Sequence, residues 1–341
     1  MLLRADLNVP LEGSAVADDT RVRASLPTLR LLLERDAAQV RVCSHLGRPK
    51  GHDPKLSLRP VAERLAAVLG HGVGFEEAGA RVNVLENTRF HAGETTNDEG
   101  FARELAGGHD LFVQDAFGSV HRAHASTVAV ARLLPAYAGL LLERELTELG
   151  ELLGPVERPF VVVSGGAKVE DKLGVLENLG ARGDAVLVGG KMAEQLRDEN
   201  PLSFEVVLPL DVVAAAEFSA DAETQVVPYD ALPDGWMGLD IGPETRRLFA
   251  ERIEEARTIF WNGPMGVFEW RRFAEGMKAV AQAVAAAHAH SVVGGADSAR
   301  ALKEIGLADR VSWLSTGGGA ALELLEGKEL PGVAAIPPVG E

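Results

Sequence analysis

Three stretches in the second half of the chain share one pattern, an apolar run that passes through glycines into an expected helix. Residues 159–171 read PFVVVSGGAKVED, with the turn at Gly165-Gly166 and a helix expected to open near Lys168. Residues 291–299 read SVVGGADSA, with Gly294, Gly295, Asp297 and Ser298; residues 311–320 read VSWLSTGGGA, with Gly317 and Gly318. A strand that runs through glycines into a helix start offers free backbone N–H groups and a positive dipole end to an anion. Lys168 and Lys172 lie four residues apart, on one face of such a helix. Lysines in a first turn oppose the dipole, and a phosphate would supply the missing negative charge. Asp297 could approach a Mg²⁺ held by phosphates, or simply cap a helix. Neither common nucleotide fingerprint is present: Gly190-Lys191 lacks the remaining P-loop residues, and no GxGxxG occurs.

In the first half, five short segments put polar residues beside expected strand ends: Asp6-x-Asn8, Arg21 in DDTRVR, SHLGR from Ser44 to Arg48, Arg89 in LENTRF, and DAFGSVHRAH with Arg122. Singly, each is an ordinary surface loop. Four arginines and two or more histidines at one sheet edge would hold a phosphorylated, carboxylate-bearing small molecule, because guanidinium forks bind such oxygens in pairs.

The elements that must position these residues alternate along the chain. Short apolar runs at 2–7, 40–44, 82–86 and 110–114 are expected strands, separated by helical patterns at 21–34, 58–69 and 98–106. A second series has strands at 159–163, 185–188, 205–208, 258–261, 291–294 and 311–314, with helices at 169–179, 243–255, 271–288 and 320–325. Such alternation predicts βαβ units, an α/β class with two doubly wound, mostly parallel sheets. Residues 138–153 carry leucine at helical spacing and end at Gly154-Pro155, a helix stop. The expected division is a domain at 1–137, a connecting helix at 138–154, a second domain at 155–325, and a tail at 326–341. No secondary structure is assigned to 330–341.

The chain has 341 residues, enough for two cores. Its 34 Lys+Arg and 50 Asp+Glu give a net charge of −16, which excludes nucleic acid as a partner. Residues 1–150 hold 17 basic and 20 acidic residues, or −3, and seven of the nine histidines; the remainder carries −13. The single cysteine, Cys43, forbids an intrachain disulfide framework, and no apolar run approaches the roughly 18 residues of a membrane span. The expected compartment is the cytoplasm.

Ten segments, in order, resemble the phosphoglycerate kinase family: RADLNVP, DDTRVRASLPT, SHLGRPKG, LENTRFHAGE, QDAFGSVHRAHAST, SGGAKVEDKL, GLDIGPET, IFWNGPMGVFEW, GGADSA and STGGGAALELLEGKELPGV. The resemblance implies two similar domains facing across a cleft, joined by a hinge helix, with the tail returning to the first domain. It also implies the glycolytic transfer of a phosphoryl group between 1,3-bisphosphoglycerate and MgADP, in a monomer. The acid substrate would meet Asp6, Asn8, Arg21, His45, Leu46, Gly47, Arg48, Arg89 and Arg122. The nucleotide would meet Gly166, Lys168, Lys172, Gly190, Gly238, Leu239, Asn262, Pro264, Glu269, Gly294, Gly295, Asp297 and Ser298, with Gly317 and Gly318 forming a phosphate-transfer turn and Asp297 at the Mg²⁺. Arg21 and Lys168 would be the catalytic pair.

Departures from the family pattern cluster on the nucleotide side. Segments after Arg48 and after Gly190 are abbreviated, Lys191 and Ala296 stand where glycine is usual, and Ser298 replaces threonine. The rival readings are a non-catalytic relative that binds metabolites or a protein partner, and a dehydrogenase, which the missing GxGxxG disfavours.

Overall fold

The computed structural model describes residues 1–338; residues 339–341 of the expected tail lie outside the described part. The chain divides into two compact units, Met1–Thr147 with Glu329–Glu341, and Glu148–Lys328.

The first unit is built on a six-stranded parallel sheet. Its strands are β1 (Leu2–Arg4), β2 (Val40–Cys43), β3 (Gly74–Phe75), β4 (Val82–Val84), β5 (Phe112–Gln114) and β6 (Ala136–Ala138), in the spatial order β3-β4-β2-β1-β5-β6. Strands β1, β4 and β5 are buried along their whole length, which is why they read as short apolar runs rather than alternating ones. Helices α1 (Thr20–Ala24), α2 (Leu26–Glu34), α3 (Arg59–Leu69) and α4 (Glu99–Ala106) complete the unit. The helix expected at 21–34 is broken at Ser25, whose hydroxyl donates to the carbonyl of Val22 and makes no cap bond to α2. Chain order reverses between β1 and β5, so the carboxyl ends of these two strands flank the unit's switch point. Cys43 is buried in β2, where burial pushes its thiol up to about 12, making it inert core.

Helix α5 (Leu140–Glu151) lies within the stretch expected to connect the domains, the division between the two units falls inside it, and its first amides are capped from other elements. Thr28 Oγ1 accepts from Leu140 N, and the buried Asp115 carboxylate, at the end of β5, accepts from Leu141 N and Leu142 N. A Cβ at Gly139 would come within 2.2 Å of Asp115 Oδ1, so only glycine permits this approach.

The second unit has a five-stranded parallel sheet of β7 (Phe160–Ser164), β8 (Ala185–Val188), β12 (Thr258–Asn262), β13 (His290–Gly294) and β14 (Trp313–Leu314), ordered β8-β7-β12-β13-β14. Here the switch point falls between β7 and β12. An antiparallel sheet of β9 (Asp211–Ala215), β10 (Thr224–Pro228) and β11 (Met237–Ile241) was not anticipated from sequence. Its helices are α6 (Lys191–Asp198), α7 (Pro243–Glu254), α8 (Glu275–Ala286), α9 (Ala296–Glu304) and α10 (Gly319–Leu325). Buried carboxylates again cap helix starts from a distance: Asp211 accepts from Glu244 N and Thr245 N of α7, and Asp240 from Gly276 N of α8.

Three expectations are corrected. The strand at 205–208 is a single bridge between Val207 and Leu187, cut short because Pro209 follows and has no N–H to extend the ladder. The helix expected from 169 begins only at Leu173, as one turn, Leu173–Val175, continued by a wider turn, Leu176–Gly180. Lys168 therefore stands outside any helix, and the two lysines do not share a first-turn face. The tail is not wholly irregular: Pro331–Ala334 forms a short helix, α11, in which Gly332 N donates to the carbonyl of Val120, tying it to the first unit.

Candidate functional site

The carboxyl edge of the first sheet gathers its cations as the alternation predicts. Asp6 and Asn8 follow β1; Arg21 sits on α1; His45, Leu46, Gly47 and Arg48 follow β2; Arg89 follows β4; Arg122 follows β5. Arg21 Nη1 donates to Asp6 Oδ1 and to the carbonyl of Asn8, both at 3.2 Å. Gly47 is held from both sides, its N–H by Asn8 Oδ1 at 2.9 Å and its carbonyl by Arg89 Nη1 at 2.6 Å. Gly47 has φ +63, so the chain turns here through a conformation open to glycine. Leu46 N donates to Asn87 Oδ1, fixing the next residue back.

A cleft of about 520 Å³ opens between Arg48, Lys50, Arg89, Arg122 and His124. Burial, with Arg122 and Arg4 nearby, pulls the Arg89 guanidinium down to about 10, and its Nε is buried with no partner. His124 is pushed down to about 4 by burial, against the pull of Glu94. Asp6, Asn8, Arg21 and His45 do not line this cleft; the first three are linked to it through the Gly47 clamp, and the His45 ring lies within the field of Arg89 in its lining. Three arginines and a lysine around a cleft with no acid in its lining form a receptor for a small polyanion.

In the second unit, the turns after β7 and β12 are packed against each other at the switch point. A Cβ at Gly165 would lie 2.0 Å from the carbonyl oxygen of Pro264, and one at Gly190 would lie 2.9 Å from the carbonyl oxygen of Gly166. Lys172 pins both turns, donating from Nζ to the carbonyls of Gly165 at 2.5 Å and Asn262 at 2.8 Å; burial lowers its ammonium to about 8. Gly294 and Gly295 lie against Asn262, whose Nδ2 would be 3.1 Å from a Cβ at either position. Ser298 Oγ accepts from Gly263 N, so this hydroxyl stabilises the turn. Glycines cap three helix starts here: Gly190 for α6, Gly295 for α9 and Gly318 for α10, while Gly317 N donates to Ser315 Oγ. Lys168 is exposed.

Other expected nucleotide residues are differently engaged. Glu269 pairs with Arg300 at 2.8 Å, and Arg300 also approaches Asp297 at 3.8 Å. Leu239 is buried with Ala215, Ala222 and Phe273. Gly190 and Gly238 line a slot of about 10 Å³, room for about one water. Glu194 and Tyr229 also line the slot, and the Tyr229 hydroxyl is buried without a partner.

The model of the phosphoglycerate kinase family matches residues 1–203 and 194–328. The phosphoglycerate kinase of Rubrobacter xylanophilus is 51% identical over 373 residues, covering 99% of this chain and 95% of that protein. This chain belongs to the phosphoglycerate kinase family. That of Moorella thermoacetica is 49% identical over 376 residues, with 98% and 95% covered. The solved phosphoglycerate kinase structure from Coxiella burnetii superposes with a TM-score of 0.85 at 37% identity, and that from Pyrococcus horikoshii with 0.84 at 31%; each comparison covers 98% of this chain and 95% of the other. The Rubrobacter alignment spans 373 positions against the 341 residues here, so at least 32 family positions have no counterpart in this chain. The two parts of the family match meet at 194–203, within and just after α6, the place where the family pattern is expected to be abbreviated and beside the closed slot.

Arg4, Lys50, Glu94, Ser126 and His124 also belong to the first unit's polar edge and were not singled out from sequence. The available signal was Arg4 itself, a charge inside the otherwise apolar run 2–7.

Proposed function

We propose that this chain transfers a phosphoryl group reversibly from 1,3-bisphosphoglycerate to MgADP, giving 3-phosphoglycerate and ATP. The single observation that carries the substrate assignment is the acid-free cationic cleft, in which Arg89 is desolvated, crowded by Arg122 and left with an unpartnered Nε. A trianionic phosphoglycerate supplies the missing charge; Arg48, Arg89 and Arg122 of the lining take its oxygens, Arg21 beyond the lining is assigned to the transferring group, and Asp6, Asn8 and Gly47 set the geometry. Family membership supports the reaction itself.

The chemistry needs no catalytic base. The attacking atom is a phosphate oxygen of ADP and the leaving group is a carboxylate, and neither exchanges a proton at neutral pH. What remains is in-line placement and neutralisation of charge on the moving group, assigned to Arg21, Lys168 and the N–H groups at Gly295 and Gly318, while the Gly317 N–H, bound to Ser315 Oγ, shapes the turn. The residues present fit a Mg²⁺ held mainly by phosphates and water: Asp297 is a half-exposed carboxylate in the first turn of α9, and among the described residues no cluster of three metal-binding side chains occurs. When bound, that ion would offset phosphate charge. The two ligand sets belong to different units, so transfer requires both substrates to be bound at once. The reading includes a monomer in the cytoplasm; among the described residues no helix is long and apolar enough to cross a membrane.

The test is a coupled assay with 3-phosphoglycerate, ATP and Mg²⁺, following 1,3-bisphosphoglycerate. Mg²⁺-dependent turnover that collapses in Lys168→Ala is expected. Absence of turnover would reject the proposal in favour of a binding protein.

A further inference from the structure

Arg4, at the end of β1, is 0% exposed and touches no carboxylate. Its guanidinium is spent on neutral groups: Nε donates to Ser126 Oγ at 2.9 Å, Nη1 to the carbonyl of Ala5 and to Ser44 Oγ, and Nη2 meets His45 Nδ1 at 3.0 Å. An arginine can only donate. His45 Nδ1 must therefore accept, which forbids a proton there and leaves a neutral ring whose hydrogen is on Nε2. Burial, then the charge of Arg4, also holds His45 well below its ordinary range.

The positive charge of Arg4 is balanced one step away. Ser126 Oγ accepts from Arg4 and directs its own proton toward Glu94 Oε1 at 2.6 Å; Ser126 N and Thr88 Oγ1 bind the same carboxylate, which is itself 0% exposed. Had Glu94 met the guanidinium directly, its fork would be occupied in a bidentate pair. With a hydroxyl between them, Nη2 remains free to hold the imidazole. The spacing is not local: Arg4 and Ser126 are 122 residues apart and Arg4 and His45 are 41 apart.

We infer that Arg4 is a positioning residue for the transfer reaction: backed by Ser126 and Glu94, it locks His45 as a neutral Nε2–H donor for the acid substrate. This rests on the reading of the first unit as the phosphoglycerate site. His45 thereby contributes a single oriented hydrogen bond, while the arginines carry the charge.

The experiment begins on the unaltered protein. Long-range ¹H–¹⁵N spectra of ¹⁵N-histidine-labelled protein at pH 7, with His45 assigned through His45→Gln, are expected to show the Nε2–H tautomer. A proton on Nδ1, or an imidazolium, overturns the inference. Arg4→Met and Arg4→Lys are then compared for the Michaelis constants of both substrates, with folding checked by thermal melting. Loss of an oriented bond to an anion is expected to raise the constant for the acid substrate by about 10- to 100-fold and to leave that for ATP unchanged. Arg4→Met combined with His45→Gln is expected to do no further harm than His45→Gln alone. Effects that multiply would overturn the inference, as would an unaltered constant for the acid substrate in Arg4→Met; if Arg4→Met fails to fold, the wild-type tautomer and Arg4→Lys decide. A correct tautomer in a protein without turnover would instead count against the reaction assigned above.

Discussion

Lys172 makes a quantitative prediction about nucleotide binding. Its ammonium donates to two backbone carbonyls and lies in a poorly solvated turn, so burial brings its pKa from 10.5 to about 8. That depression corresponds to about 3 kcal/mol against the charged form. At pH 8 about half the molecules therefore lack this proton. A phosphate arriving beside Lys172 would favour the ammonium and return the pKa toward its ordinary value. Binding of ADP at pH 8 should thus take up about half a proton, falling toward zero near pH 6.5, where Lys172 is already charged. Titration calorimetry in buffers of different ionisation heat reads the uptake as the slope of apparent enthalpy. No uptake at pH 8, or the same uptake in Lys172→Met, would refute the placement of phosphate at Lys172.

Other outcomes follow from the same geometry. Arg21→Ala and Lys168→Ala should each lower kcat by at least ~10²-fold, the order expected for removing one donor to transition-state charge, with melting temperature nearly unchanged. Gly165→Ala places a methyl on the Pro264 carbonyl; it should destabilise the protein by about 1–3 kcal/mol and weaken ADP binding while leaving affinity for the acid substrate intact, as paired titrations would show. Burial raises Asp115 from 3.8 to about 7, so its protonation stabilises the fold fully below about pH 4, and this contribution is lost as pH rises through 7. Asp115→Asn keeps an acceptor for α5 but cannot titrate. Its unfolding free energy should vary less between pH 4 and 8 and exceed the parent's at pH 8 by a few kcal/mol; equal destabilisation at both ends would contradict this.

How much could be read without coordinates differs between the two halves of the problem. The buried parallel strands announce themselves because both faces are covered, giving runs such as Phe160–Ser164 and Thr258–Asn262. The residues at their carboxyl ends, from Asp6 to Arg122 and from Gly165 to Gly318, therefore sit on the edges where topology puts them. The antiparallel strands β9 to β11 were missed because their sequences, DVVAA, TQVVP and MGLDI, show no period-two alternation. The glycine turn at 165–166 predicts a helix from about Lys168, but a turn through Lys172 delays it to Leu173. The sequence puts histidines at the anion-binding edge but does not say which ring nitrogen carries the proton; His45 is neutral because a buried arginine 41 residues away occupies its Nδ1, a relation no local pattern carries.

The central claim is that two small anions are held by different chemistry, arginines in the first unit and glycine-lined helix starts with lysines in the second. Its most direct test is a pair of calorimetric titrations, phosphoglycerate in one and MgADP in the other, into Arg89→Met and Lys168→Ala. The account predicts that Arg89→Met loses the acid and keeps the nucleotide, while Lys168→Ala keeps the acid and binds nucleotide more weakly. Undiminished binding of phosphoglycerate by Arg89→Met would contradict it.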